Sequence, residues 1–330
     1  MTFTAQDAAS WLANPRATRE TLEAFGLATK HRLGQNFLVE DNIIRKIIRL
    51  AELTSDDVVL EVGPGLGTLT VAMLDYVRAV CSIEADRELE GVLATTCKEP
   101  HQDSFVLCMG DALKATPQLV GDAYASLEVF AGVDGKEESG ALIGPNKFVS
   151  NLPYQVAATL ILLFFQEFTT LEQAIVMVQA EVADRIAAKP KTKAYGAYTA
   201  KLALYAQVSG RFEVAPGNFM PPPRVNSAVV RLERAPMTDP SGTGVLTSEQ
   251  LCWVARVIDA AFAQRRKTIR NSMGASGFKK DTLERAFLAA HIEPTVRAEA
   301  LGVKDFVRLA MALAEGGAYG EEAAFVHGRR

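Results

Sequence analysis

Between residues 41 and 52 the chain reads DNIIRKIIRLAE, and Ile43, Ile44, Ile47, Ile48 and Ala51 recur at the three- and four-residue spacing of one helix face. That spacing predicts an amphipathic helix laid over a sheet. Apolar runs of strand length then alternate with helical patterns: DVVLEV (57–62), AVCSIEA (79–85), SFVLCM (104–109), KFVSN (147–151) and QAIVMVQ (173–179). This rhythm predicts βαβ units and a parallel sheet, hence a doubly wound, Rossmann-like α/β domain. Two further β-type stretches, near 206–214 and 225–233, flank the turn-forming GNFMPPP and predict an antiparallel edge on that sheet. PMTDPSGTG (236–244) has linker composition, and from 246 onward helical periodicity without strand patterns predicts a small all-helical domain. The expected organisation is therefore an N-terminal extension (1–28), an α/β domain (29–235) and a helical domain (245–330), with a Gly-rich, charged surface loop at 131–146.

At 330 residues, 48% hydrophobic and 22% charged, the chain has the material for two folded domains. Its longest apolar run, Val156 to Phe165, is far short of the ~20 residues a membrane span needs and predicts a buried helix, with no membrane partner. The first twenty residues have neither a basic nor an apolar leader region, so a cytoplasmic protein is expected. Cys81, Cys97, Cys108 and Cys252 show no CxxC spacing and no clustering with histidines, which predicts reduced thiols and no metal site. A formal net charge of −4, spread evenly, would disfavour a nucleic-acid partner, but the charge is segregated. Residues 81–142 hold 12 acidic and 4 basic side chains, whereas 185–211 hold 6 basic and none acidic, and 251–280 hold 7 basic against Asp259 alone. Such patches suit either a solvated face or phosphate contacts.

The first strand runs into Gly63-Pro64-Gly65-Leu66-Gly67 and then a helix, so a glycine turn meets a helix N-terminus where backbone can approach a ligand closely. The second strand ends in Glu84, about 20 residues on, where a carboxylate can accept hydrogen bonds from both hydroxyls of a ribose. Together these point to an adenosine-containing ligand, with NAD and S-adenosylmethionine equally served. Asp111, after the third strand, suits either the amine of the ligand's adenine or a helix N-cap. Asn151-Leu152-Pro153-Tyr154, at the end of the fourth strand, breaks the tie, because it resembles the [DN]-P-P-[YF] signature of amino-methyltransferases. An exocyclic amine has its lone pair delocalised into the base. Hydrogen bonds to the Asn151 side chain and the Leu152 carbonyl favour a pyramidal, more nucleophilic nitrogen, and Tyr154 can stack on an extracted base. Positive charge arriving on that nitrogen meets oxygens and an aromatic face, so neither a covalent nucleophile nor a metal is needed.

From about residue 29 to about 316 the chain resembles the ribosomal RNA adenine dimethyltransferases of the small-subunit type. Besides the motifs above, the resemblance is carried by Leu33-Gly34-Gln35-Asn36-Phe37-Leu38, Lys193-Ala194-Tyr195-Gly196 and the stretch from Phe219 to Val229. It implies that S-adenosylmethionine is the cofactor, bound by Asn36, Leu38, Gly63, Gly65, Glu84, Asp111 and Asn151. It further implies that Asn151, Leu152, Pro153 and Tyr154 present the adenine, and that Phe219 is a second stacking partner. The run Ala261 to Ser272 resembles the helical domain of the small-subunit enzymes rather than that of the macrolide-resistance methyltransferases acting on large-subunit rRNA. Arg224, Arg265, Arg266, Lys267 and Arg270 are accordingly expected on RNA, and the partners are small-subunit rRNA and the assembling small ribosomal subunit. The N-terminal extension, the acidic loop at 134–140 and the net negative charge depart from the family pattern. A non-catalytic rRNA-binding assembly factor is the alternative from another class; intact Glu84, Asn151 and Tyr154 favour the enzyme. An NAD-dependent oxidoreductase would call for G-x-G-x-x-G and has no use for Asn-Leu-Pro-Tyr.

Overall fold

The computed structural model describes residues 10–27, 35–131, 143–242 and 244–317. Leu33, Gly34 and the acidic loop at 134–140 lie outside them. The chain divides into two compact units, Met1–Ala183 with Val208–Arg234, and Asp184–Gln207 with Ala235–Arg330.

In the first unit the strands are β1 (Phe37–Leu38), β2 (Val58–Val62), β3 (Ala79–Glu84), β4 (Phe105–Met109), β5 (Lys147–Asn151), β6 (Gln173–Gln179), β7 (Ala206–Val214), β8 (Phe219–Met220) and β9 (Ser227–Arg234). Seven of them form one sheet in the order β4-β3-β2-β5-β6-β9-β7. Strands β2 to β6 pair in parallel, and β9 runs antiparallel to β6. All five residues of β2 and all six of β3 are buried, as expected of parallel strands covered on both faces. The antiparallel strand departs from the all-parallel order of dinucleotide-binding sheets. Around the sheet run α1 (Pro15–Ala24), α2 (Asp41–Ala51), α3 (Thr68–Leu74), α4 (Glu90–Leu93), α5 (Pro117–Ala125), α6 (Ala157–Glu167) and α7 (Ala180–Ile186), the last extending into the second unit.

The isoleucine face of α2 is buried as its spacing demands, and the helix is fastened at its C-terminus by a buried cation. Lys147 Nζ, at the start of β5, donates to the carbonyls of Ala51 and Glu52 at 2.7 and 2.8 Å and pairs with Asp57 at 3.0 Å. Burying a charge is tolerable only with this degree of pairing. The N-terminal extension is partly a helix of this unit rather than a separate appendage: Asn14 caps α1, Leu12, Ala13 and Leu22 are buried, and the Ser10 N–H donates to Asp41. The apolar run at 156–165 forms the buried helix α6, and no helix among the described residues is long and apolar enough to cross a membrane.

The second unit consists of α8 (Ala197–Leu202), α9 (Ser248–Phe262), α10 (Ile269–Ala275), α11 (Lys280–Ala289) and α12 (Val303–Glu315). Thr247 and Gln250 form a capping box that starts α9. Trp253 Nε1 donates to the Ala310 carbonyl at 2.7 Å, tying α9 to α12, and Phe262 packs on Phe306. The expected helical composition beyond 246 is seen, but residues 184–207 belong here and not with the continuous 29–235 stretch expected from the sequence. The cause is burial: the Tyr195 ring packs against Phe262 and its hydroxyl donates to the Leu301 carbonyl at 2.8 Å, while Leu202 and Leu204 are also buried.

Candidate active site

Sequence order reverses across the sheet between β2 and β5: β3 and β4 lie to one side of β2, β5 and β6 to the other. At such a reversal the connections diverge and leave a crevice beyond the strand C-termini. A cavity of about 250 Å³ lies there, and the segments that close it follow β2, β3, β4 and β5, joined by residues 35–38.

The glycine turn after β2 owes its shape to residue type. Gly63 and Gly67 have φ of 68° and 89°, left-handed values that side chains rarely adopt. A Cβ on Gly63 would stand 3.3 Å from the Pro153 ring, so the glycine turn packs directly on the Asn-Leu-Pro-Tyr segment. A Cβ on Gly67 would stand 2.4 Å from Cys97 Sγ. Glu84, ending β3 and 7% exposed, accepts the Gly65 N–H at 3.4 Å and the Asp86 N–H at 2.8 Å, which fixes its carboxylate beside the turn. Burial raises its pKa, an effect opposed by those backbone donors. Asp111 caps the short turn after β4 by accepting the Leu113 N–H at 3.0 Å and also lines the cavity.

Asn151 and Leu152 stand at the end of β5, where the Leu152 N–H donates to the Met177 carbonyl of β6 at 3.1 Å. Asn151 Nδ2 donates to the Asn36 carbonyl at 3.4 Å, leaving Oδ1 as an acceptor. Tyr154 is half-buried, and its hydroxyl lies 2.6 Å from Ser227 Oγ. Asn36, Leu38, Gly63, Gly65, Glu84, Asp111, Asn151, Leu152, Pro153 and Tyr154 all line the one cavity.

Phe219 is the exception. It is 3% exposed on β8, paired in register with Leu38 of β1, and does not line the cavity. Its ring belongs to the same buried cluster as Leu38, and the stacking role is what the resemblance implies for it. Several lining residues belong to or adjoin the sequence motifs without a role of their own expected from them. Gln35 donates to Asp86 at 2.8 Å across the cavity mouth. Glu61, 1% exposed, takes hydrogen bonds from Thr70 and Ser82, both at 2.7 Å, and burial pushes its carboxyl up to about 7. The sequence signal for both was proximity: Glu61 lies two residues before Gly63, Asp86 two after Glu84.

The basic residues are divided. Arg270 is paired with Glu284 at 2.8 Å, and Arg265 donates to the Lys193 carbonyl at 2.8 Å, so both are engaged within the second unit. Arg266 and Lys267 are exposed on the turn between α9 and α10 with no ion pair among the described residues, and Arg224 is exposed in the first unit. No group of residues able to hold a metal occurs among the described residues.

A seven-stranded sheet in which β9 runs antiparallel to β6, a glycine turn at its reversal point and Asn-Leu-Pro-Tyr facing that turn define a methyltransferase of the Rossmann-like class. The family follows from comparison. Residues 26–315 match the model for ribosomal RNA adenine dimethylase, and the chain belongs to that family. It is 37% identical over 307 residues to the ribosomal RNA small subunit methyltransferase A of Kineococcus radiotolerans, covering 92% of this chain and 93% of that protein. Among solved structures, a dimethyladenosine transferase from Plasmodium falciparum matches with a TM-score of 0.67 at 22% identity, over 85% of this chain and 98% of the other. The 23S rRNA methyltransferase ErmE matches with a TM-score of 0.58 at 24% identity, over 84% and 100%. At those identities the two structures attest the fold alone.

Proposed function

We propose that this methyltransferase transfers methyl groups from S-adenosylmethionine to N6 of adjacent adenines in small-subunit rRNA, twice at each, during assembly of the small ribosomal subunit in the cytoplasm. One observation carries the choice of cofactor: among the described residues the cavity is lined by four carboxylates, Glu61, Glu84, Asp86 and Asp111, and by no basic side chain. Such a lining suits a ligand with a sulfonium, an ammonium and ribose hydroxyls, and repels the pyrophosphate of a dinucleotide. Glu84 would take the ribose hydroxyls, Asp111 the adenine amine, and Asn36, Leu38 and the turn at Gly63 and Gly65 the remainder. When bound, S-adenosylmethionine supplies an electrophilic methyl group.

The chain's own part is to present the nitrogen. Asn151 Oδ1 and the Leu152 carbonyl accept the N–H groups of the flipped adenine and turn its lone pair out of conjugation. Tyr154 holds the ring by stacking, and Pro153 keeps the segment against Gly63. As the N–C bond forms, the methyl–sulfur bond of the donor would break to leave a neutral thioether, and the positive charge passes to the nitrogen, beside two oxygens and an aromatic face placed to stabilise it until an N–H proton is lost to solvent. The small-subunit substrate is favoured by the relative that is 37% identical over nearly its whole length and carries that name. The test is methyl transfer to small subunits that lack the modification.

Arg224, Arg265, Arg266, Lys267 and Arg270 remain the proposed phosphate contacts, with the exposed, unpaired Arg266 and Lys267 contributing most. Replacing both by glutamine is expected to make the slope of log affinity against log salt shallower by about one to two units, because each neutralised phosphate contact releases slightly less than one counterion. Filter binding of the rRNA across a salt series reads this directly. An unchanged slope would move the contacts to Lys189, Lys191 and Lys193, which are also exposed in the second unit.

A further inference from the structure

Strand β9 begins with a hydroxyl where its neighbours are hydrocarbon: Ser227 is followed by Ala228, Val229 and Val230, and all four are fully buried. A hydroxyl taken out of water costs stability unless it finds a partner. Ser227 finds Tyr154, 73 residues earlier in the chain, with the two oxygens 2.6 Å apart. Ser227 does not line the cavity; Tyr154 does. Burial holds the Tyr154 phenol above its ordinary pKa, so the contact is between two neutral hydroxyls at working pH. We infer that Ser227 is a positioning residue for methyl transfer, fixing the far end of the Tyr154 ring against which the target adenine stacks. The inference rests on the function proposed above.

The reason a ring in this place needs such a tether is geometric. Tyr154 follows a proline in a loop and is only half-buried, so the place of the ring's far end, which swings with the Cα–Cβ torsion, is set by what its hydroxyl meets. Stacking tolerates sliding of the base, but transfer needs the nitrogen within a few tenths of an ångström of its line of attack. Ser227 is itself immobile. It pairs in register with Gln179 of β6, and next to it the Asn226 carbonyl accepts the Ala180 N–H at 2.9 Å. The tether therefore runs from the ring to the sheet.

Four proteins test this: Ser227→Ala, Ser227→Thr, Tyr154→Phe and the double variant Ser227→Ala with Tyr154→Phe, each assayed for kcat and KM on small subunits lacking the modification. Ser227→Ala should lower kcat about tenfold with KM unchanged, Ser227→Thr should restore most of it, and Tyr154→Phe should show the same tenfold loss. The double variant should be no worse than either single one, since each removes the same bond. Tyr154→Phe keeps the test valid if a change inside β9 impairs folding. A folded Tyr154→Phe or Ser227→Ala protein with wild-type kcat would overturn the inference, as would losses that add in the double variant. Wild-type protein that methylates nothing would instead overturn the proposed function.

Discussion

Tyr154→Ala is expected to lower methyl transfer at least a hundredfold while cofactor affinity and subunit binding stay within about twofold of wild type. Loss of base stacking alone costs about 1–3 kcal/mol. A misplaced amine adds to this, since a displacement of about 1 Å can cost on the order of a hundredfold in rate. Cofactor affinity survives because the carboxylates lining the cavity stand on β2 and β3 and on the turns that follow β3 and β4, not on the loop that carries Tyr154. The assay is transfer of labelled methyl to small subunits lacking the modification, beside equilibrium binding of the same variant to cofactor and to subunits. Wild-type transfer by Tyr154→Ala would remove the ring from the mechanism. Asn151→Ala is the less clean experiment, because Asn151 also bonds the Asn36 carbonyl, and residue 36 lies on the proposed cofactor side.

Glu84→Ala is expected to weaken S-adenosylmethionine binding by at least tenfold to a hundredfold. Charge-assisted hydrogen bonds to ribose hydroxyls contribute roughly 1.5–3 kcal/mol each, and every 1.4 kcal/mol is about a factor of ten. The structure adds a second cause, because the same carboxylate organises the Gly65 and Asp86 N–H groups and its loss also loosens the glycine turn. Glu84→Gln separates the two. It keeps one acceptor for the backbone and should fall between Ala and wild type. Titration calorimetry is the readout, and unchanged affinity in Glu84→Ala would show that the ribose is held elsewhere.

What the sequence revealed was local. The strands, the glycine turn, Glu84 and Asn-Leu-Pro-Tyr each lie within one short stretch, and a parallel sheet forces strand ends to converge, so the convergence of these residues on one cavity followed from order alone. Features formed between distant stretches were not legible. Strands β1 and β8 have two residues each, too few for a period, yet their pairing sets Leu38 beside Phe219. The contact between Tyr154 and Ser227 joins a loop to the start of a strand 73 residues later. A run of four basic residues within 265–270 reads as uniformly available, but Arg270 meets Glu284 and Arg265 meets the 193–195 backbone. The same contacts explain why 184–207 joins the second unit. Helix α1 lies before the stretch that carries the family resemblance, so only packing reveals that it is part of the core.

The central claim is the reaction and its substrate, and one measurement meets it most directly. Purified protein is incubated with labelled S-adenosylmethionine and small ribosomal subunits from cells lacking the modification, and the rRNA is then digested and analysed by mass spectrometry. The account predicts N6,N6-dimethyladenosine at two adjacent positions of small-subunit rRNA, absent when Tyr154→Ala is used and absent from large subunits treated in parallel. Tight binding of small subunits with no methyl transferred to any RNA, or dimethyladenosine confined to large-subunit rRNA, would contradict it.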